Sequence, residues 1–149
     1  MKAFFDTNVY INAFFKKKLA RDEFAGFFDL YEIGVCPVVK HELFLGAIHP
    51  RTRLELGEFF DQCPLYAAPS AETWNEMTGS MKKMGWKENS QQNDLLIALT
   101  AREEGASLIS YDTVFERLRD SIGFELILLA NEDDIIRVHE ALAGTVKKN

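Results

Sequence analysis

Cysteine is scarce in this sequence, and long apolar runs are absent. Cys36 and Cys63 are its two cysteines and they form no Cys-x-x-Cys pair, which argues against a disulfide-stapled scaffold or a cysteine-rich zinc site. No apolar stretch approaches the ~20 residues that span a bilayer, so we expect no membrane association. The first residues also lack the basic and apolar segments of a secretory signal. We therefore expect reduced thiols and a cytoplasmic protein.

Proline and glycine are sparse as well, with four and nine residues in a chain of 149, and they form no linker. With 47% apolar and 27% charged residues, the composition is that of a globular domain with a sizeable core. We predict a single domain over residues 1–149, with 145–149 as a disordered tail. The net charge of −6 argues mildly against a protein that coats nucleic acid. A cluster of acids that holds a metal ion would, however, contribute charge of this sign.

The three histidines have no metal-ligand spacing. His41-Glu42 begins like a His-Glu-x-x-His zinc motif, but Leu45 stands where the second histidine is required. No glycine-rich dinucleotide or Walker A motif is present. Zinc catalysis and nucleotide binding of these kinds therefore have no support in the sequence.

Apolar runs typical of strands alternate with helical patterns along the chain, which predicts an α/β fold with a mostly parallel sheet of four to five strands flanked by helices. The predicted strands cover residues 2–6, 33–36, 108–110 and 124–129. The predicted helices cover residues 8–17, 19–31, 37–48, 51–62, 71–84, 91–104 and 132–143. Pro37 suits the first turn of its helix, Ser70 and Ser90 suit N-caps, and Gly105 suits a helix end.

Four acids follow strands or stand near helix starts in this pattern. Asp6 ends the first strand in FFDTN, Glu42 lies early in the third helix, Asp94 opens the helix 91–104, and Asp112 follows the strand in SLISYD. Ligand sites of parallel sheets collect at the carboxyl ends of the strands, which form one rim of the sheet. All four acids can face this rim. Any one of these acids alone is more often a turn or surface residue. The four together favour a shared site.

Carboxylates that share a pocket repel one another unless a cation is present. An all-oxygen set of ligands suits a hard divalent ion such as Mg²⁺ or Mn²⁺. Such an ion promotes hydrolysis at phosphorus by activating water and neutralising charge. The pattern therefore predicts a metal-dependent site for phosphodiester chemistry.

The sequence resembles the PIN-domain proteins, especially the ribonuclease toxins of bacterial and archaeal VapBC toxin–antitoxin systems. The segments that carry the resemblance are FFDTNVYINAF, VCPVVKHELFLGA, NDLLIALTAREEGASLIS and SYDTVF. The resemblance implies a three-layer α/β fold and metal-dependent hydrolysis of RNA with one or two Mg²⁺ or Mn²⁺ ions. It also implies inhibition by a cognate antitoxin and a homodimer. The chain is somewhat long for this group, around residues 66–89.

The resemblance assigns the metal-binding and catalytic acids to Asp6, Glu42, Asp94 and Asp112. It assigns supporting roles to Asn8 and Ser110, which would hydrogen-bond carboxylates or metal-bound water. Members of the family often carry a further acid at the position of Val114, and its absence here argues against a second metal ion.

Basic and aromatic clusters supply candidates for binding. Lys16, Lys17 and Lys18 form a basic connector with Arg21 that could contact RNA phosphates, although such a run is more often solvated. Lower-ranked candidates of the same kind are Arg51, Arg53, Lys82, Lys83 and Lys87. The helical stripe of Phe24, Phe27, Phe28 and Tyr31 predicts core. The pairs Phe14-Phe15 and Phe59-Phe60 cannot all face one interior, which leaves room for an aromatic groove that binds an antitoxin helix.

Two other functions compete with a nuclease. A PIN-like fold could bind RNA or protein without turnover. A phosphatase of the haloacid-dehalogenase type also begins with an Asp at a strand end, but its Asp-x-Asp motif is broken here by Asn8. We rank the phosphatase lowest.

Overall fold

The sheet has four parallel strands in the order β2-β1-β3-β4. The structure, a computed structural model, describes residues 1–16, 21–46, 49–67, 69–83, 92–129 and 140. The strands are β1 (Lys2–Phe5), β2 (Glu32–Gly34), β3 (Ser107–Ser110) and β4 (Leu126–Leu128). Their apolar residues are buried, with β4 buried at every position. The predicted α/β class and the parallel sheet are confirmed.

Seven α-helices flank the sheet within the described residues. They are α1 (Thr7–Tyr10), α2 (Arg21–Leu30), α3 (Pro37–Gly46), α4 (Pro50–Asp61), α5 (Ala71–Lys83), α6 (Gln92–Glu104) and α7 (Val114–Ile122). None of these helices is long and apolar enough to cross a membrane. The predicted helix 132–143, the proposed tail 145–149 and the Ser90 cap lie outside the described residues, except for Glu140.

Several local predictions are confirmed at the helix ends. Pro37 is the first residue of α3, where its missing N–H costs nothing. Ser70 Oγ accepts a 3.2 Å hydrogen bond from the backbone N–H of Thr73 at the start of α5. Gly105 has φ +61° immediately after α6, a conformation that glycine adopts without strain.

Two predictions about helices were wrong. The segment 8–17 is not one α-helix: α1 ends at Tyr10, and Ile11–Phe15 form a π-helix. α7 was not predicted, although its buried Phe115 and Leu118 and its half-buried Ile122 have helical spacing. Neither difference moves an acid away from the rim.

The strand order explains why a ligand crevice is expected at the carboxyl ends of β1 and β3. From β1 the chain moves outward to β2, then returns past β1 to β3 and β4. The direction of winding therefore reverses between β1 and β3, where open parallel sheets form a crevice for ligands. Asp6 follows β1, and Asp112 follows β3 by two residues.

Candidate active site

Asp6 is buried at the carboxyl end of β1 and is held by two hydrogen bonds. Its Oδ1 accepts from the backbone N–H of Thr7 at 2.8 Å, which caps α1, and its Oδ2 accepts from Ser110 Oγ at 2.8 Å. Burial raises the pKa of Asp6, the two hydrogen bonds lower it, and the charge of Asp112 raises it further. The apolar strand thus ends at a carboxylate that is oriented by hydrogen bonds and forms no ion pair with any described residue.

The end of β3 supplies the partner of Asp6. Phe5 is in register with Ile109, so the next residues, Asp6 and Ser110, lie side by side. The Ser110 hydroxyl also accepts a 3.0 Å hydrogen bond from the backbone N–H of Asp112. Asp112 Oδ1 in turn accepts from the backbone N–H of Val114 at 3.0 Å, at the start of α7.

Asn8 connects α1 to the same loop. Its Oδ1 accepts a 3.4 Å hydrogen bond from the backbone N–H of Tyr111, which follows Ser110. Asn8 therefore holds the backbone between Ser110 and Asp112. A direct bond from Asn8 to a carboxylate is not among its contacts within the described residues.

Glu42 and Asp94 approach from two helices that pack against each other, α3 and α6. Asp94 lies in the first turn of α6, where the helix dipole favours an anion. Glu42 is the sixth residue of α3, beyond the first turn, so it gains little from the dipole. Burial raises the pKa of Glu42, the charge of Asp6 raises it further, and the polar side chain of Thr7 partly offsets this.

Asp94 is the acid most affected by its neighbours. Burial raises its pKa to about 6, and the negative charges of Asp6, Asp112 and Glu42 contribute to the increase. The fold therefore gathers four carboxyl groups from four separate elements into one electrostatic environment. Raised pKa values that come from burial together with neighbouring charges cluster at functional sites.

The four side chains are neighbours, but they do not converge on a single point. Within the described ranges, no three His, Cys, Asp or Glu side chains come close enough to hold a metal ion together. Mutual repulsion favours separated carboxylates. Asp6 and Asp112 also use oxygens to accept hydrogen bonds from the backbone.

The comparisons with known proteins agree with this fold. A family model described as the PIN domain matches residues 3–121, a span that contains all four acids. The chain belongs to the PIN domain family. Its members are generally nucleases and typically bind divalent metals. No curated protein matches the chain.

The residues of this PIN domain fit a hard divalent ion in two respects. The donors are carboxylate oxygens, which Mg²⁺ and Mn²⁺ prefer. In addition, Glu42 Oε1 is buried and has no hydrogen-bond partner among the described residues. A buried acceptor without a partner costs free energy, which a cation or its hydration water would offset.

The basic candidates are distributed unevenly. Lys16 is exposed and lines a pocket next to Glu42, whereas Lys17, Lys18 and Lys87 lie outside the described residues. Arg51 is paired with Glu55 at 3.2 Å, and the Arg53 guanidinium lies 5.8 Å from the ring centre of Phe44. Of Lys16, Arg51 and Arg53, Lys16 is therefore the one that lines a pocket together with a candidate acid.

The sequence did not single out Thr7, and it marked Phe15 only as one member of the pair Phe14-Phe15. Thr7 has a buried hydroxyl without a well-formed hydrogen bond to any described residue, and Phe15 contributes an exposed ring to the pocket. Thr7 adjoins Asp6 in the DTN motif, so its position was a usable signal. Which ring of the aromatic pair is exposed could not be read from the sequence, because it depends on the π-helix.

Proposed function

We propose that this PIN domain is a divalent-metal-dependent endoribonuclease that hydrolyses RNA phosphodiester bonds. The observation that carries the proposal is the grouping of four carboxyl groups from separate elements. Burial raises the pKa of Asp94 to about 6, and the charges of Asp6, Asp112 and Glu42 add to the increase. Four crowded carboxyl groups, none of which forms an ion pair within the described part of the chain, attract a cation. Membership of a family of nucleases supports phosphodiester hydrolysis as the reaction.

Asp6, Glu42, Asp94 and Asp112 are the residues that would hold one or two Mg²⁺ or Mn²⁺ ions. When bound, such an ion activates water and neutralises charge that develops on the phosphoryl group. The chain itself contributes positioning, which is the main requirement in phosphoryl transfer. Ser110 and the Thr7 N–H hold Asp6, and Ser110 and Val114 hold the loop that carries Asp112. We assign the role of general base to none of the four acids.

A toxin role, with an antitoxin as inhibitor, extends the proposal. The four motifs that resemble VapC-type toxins support it, and we infer a cytoplasmic homodimer on the same basis. Exposed apolar side chains on neighbouring elements supply a surface for a helical or extended partner segment. They include Leu45 on α3 and Leu54 on α4, which are 73% and 63% exposed.

The direct test is cleavage of single-stranded RNA pools by the purified chain. We expect cleavage with Mn²⁺ or Mg²⁺, none with EDTA, and at least a ~100-fold lower rate for Asp94→Asn, since even groups that support a metal ligand cost 10–100-fold. Asp61→Asn is the matched control, because Asp61 is an exposed aspartate at the end of α4. Equal cleavage by wild type and Asp94→Asn would refute the assignment of the site.

Thermal stability measured with and without metal distinguishes the nuclease from the alternative, a PIN-fold binding module without turnover. An ion that binds the folded state stabilises it by about 2.7 kcal/mol at a concentration of 100 times its Kd. We expect Mn²⁺ to raise the Tm of the wild type and of Asp61→Asn, but much less that of Asp94→Asn. A chain whose Tm is insensitive to Mn²⁺ and that cleaves no RNA would favour the binding module.

The toxin role is tested by inducible expression in a bacterial host. Growth arrest by wild type and normal growth with Asp6→Asn or Asp94→Asn, at equal levels of soluble protein, would support it. Equal arrest by all three proteins would show that toxicity does not come from this site.

A further inference from the structure

A pocket of about 220 Å³ lies between the π-helix and α3, and its wall includes Glu42, one of the four acids. Residues of its wall include Thr7, Ile11, Phe15, Lys16, Glu42 and Leu43. This volume is below the ~300–1,000 Å³ of sites for drug-sized ligands, so the pocket suits a single flat ring. Because Glu42 belongs both to the wall and to the acid cluster, an occupant would lie next to the candidate active site.

The π-helix determines which aromatic ring faces this pocket. Lys16 N–H donates to Ile11 O at 2.9 Å, five residues earlier, which is the bond of a π-turn. Phe14 turns inward and its ring packs against Tyr10, Phe24 and Phe59. π-turns are rare and are frequent at functional sites.

Phe15, in contrast, is 40% exposed and has no aromatic ring contact within the described part of the chain. Its ring lines the pocket together with Ile11 and Leu43. An accessible aromatic face is the element that proteins use to stack bases of single-stranded nucleic acid. The adjacent Lys16 supplies a positive charge at the same pocket.

The pocket wall also contains a hydroxyl without a well-formed hydrogen bond. Thr7 Oγ1 is buried beside Glu42, whose pKa it lowers, but no described residue gives it a hydrogen bond of ordinary length and angle. A hydroxyl can both donate and accept, so it can bond to the polar edge of a ring that lies between apolar walls. An apolar side chain would leave this hydroxyl unsatisfied, whereas the edge of a nucleobase would pair with it.

We propose that this pocket is a subsite for one nucleobase of a single-stranded RNA, which stacks on Phe15 and is hydrogen-bonded at its edge by Thr7. Lys16 neutralises a neighbouring phosphate. The inference rests on the proposed nuclease function for the identity of the ligand. Such a subsite gives the enzyme a preference for particular bases at the nucleotide next to the cleaved bond, and it assigns that preference to Phe15 and Thr7.

The test measures binding without turnover, using a fluorescein-labelled single-stranded RNA and the Asp94→Asn chain in EDTA. On this background, Phe15→Ala should raise the Kd by about 5- to 160-fold, the range expected for loss of one stacked base. Phe15→Trp should retain binding. Leu65→Ala is the control, because Leu65 is an apolar side chain that is 65% exposed and does not line the pocket. Thermal unfolding of each variant verifies that it is folded.

A set of RNAs with a single abasic position identifies the base. At one position, removal of the base should abolish the difference in Kd between the Phe15 and Phe15→Ala chains. Thr7→Val should then reduce the preference among the four bases at that position. If the Phe15→Ala effect is the same for every abasic RNA, the pocket does not bind a base and the proposal fails.

Other outcomes separate this proposal from the nuclease proposal. Unchanged binding and an unchanged KM for RNA cleavage by a folded Phe15→Ala chain would overturn the base subsite alone. Loss of binding to a protein segment, with RNA binding intact, would likewise assign the pocket to a protein partner. Binding of RNA that depends on Phe15, in a wild-type chain that cleaves no RNA, would support the subsite and overturn the nuclease proposal.

Discussion

The hydroxyl of Ser110 donates a 2.8 Å hydrogen bond to Oδ2 of Asp6. This bond joins the carboxyl ends of β1 and β3, although the two residues are 104 positions apart in the sequence. The same hydroxyl accepts from the backbone N–H of Asp112. One buried serine therefore orients one candidate ligand directly and a second through the backbone.

Ser110→Ala should lower both activity and stability. It leaves Asp6 without one hydrogen bond and leaves the Asp112 N–H without an acceptor, so we expect a loss of about 1–3 kcal/mol in the free energy of unfolding. Loss of a group that orients a metal ligand typically costs 10- to 100-fold in affinity or activity. Denaturant unfolding and RNA cleavage with varied Mn²⁺ measure the two effects.

The control for this substitution is Ser107→Ala, which removes a half-buried hydroxyl from the first residue of the same strand. It should leave the Mn²⁺ dependence of cleavage unchanged. If Ser110→Ala behaves in the same way, Ser110 has no role in positioning the acids.

The stability of the protein in EDTA should fall as the pH rises from about 4 to about 6. The pKa of Asp94 is about 6 in the folded chain, against its ordinary value of 3.8. Between these values the folded chain keeps a proton that the unfolded chain has released, so stability falls with rising pH. The pKa values of Asp6 and Glu42 are raised too and act in the same direction.

Asp94→Asn should flatten this pH dependence and raise the Tm in EDTA at pH 7, while Asp61→Asn should leave the slope unchanged. Thermal unfolding across the pH range is the measurement. A wild-type stability that increases steadily between pH 4 and pH 6 would contradict the crowding of the four acids.

Lys16→Gln should weaken RNA binding and reduce its salt dependence. Loss of one phosphate contact lowers the slope of log K against log salt concentration by about 0.7 for a single strand. Lys2→Gln is the control, because Lys2 begins β1 at the edge opposite Asp6 and pairs with Glu104 at 3.4 Å. Equal slopes for wild type and Lys16→Gln would exclude Lys16 from phosphate contact.

Gly34→Ala should destabilise the protein by about 1–3 kcal/mol through overpacking. A Cβ at this position in β2 would collide with the ring of Tyr66, whose hydroxyl donates to Glu32 O at 2.8 Å. Gly79→Ala is the opposite case, because Gly79 is an exposed residue of α5 and, apart from its own stretch of helix, no described atom lies within 4 Å of an added Cβ. That substitution should stabilise by about 0.5–1 kcal/mol. Urea unfolding of both variants tests the packing of Tyr66 on the sheet.

The sequence by itself was sufficient for the class of fold and for the strand ends. Alternating apolar runs and helical patterns identified all four described strands, and Pro37, Ser70 and Gly105 marked helix ends through local backbone chemistry. These features depend on neighbours within a few residues. For the same reason the sequence placed Asp6 and Asp112 after β1 and β3.

Only the tertiary structure decided how these residues meet. The register of Phe5 with Ile109 brings Ser110 to Asp6, and the packing of α3 and α6 brings Glu42 and Asp94 near them. Packing also decides which phenylalanine of the π-helix is exposed. Phe14 and Phe15 have the same side chain, and they differ only in the residues that surround them. Local sequence determines which backbone conformation is favourable, whereas the pKa of a carboxyl group and the exposure of a ring depend on residues far away in the chain.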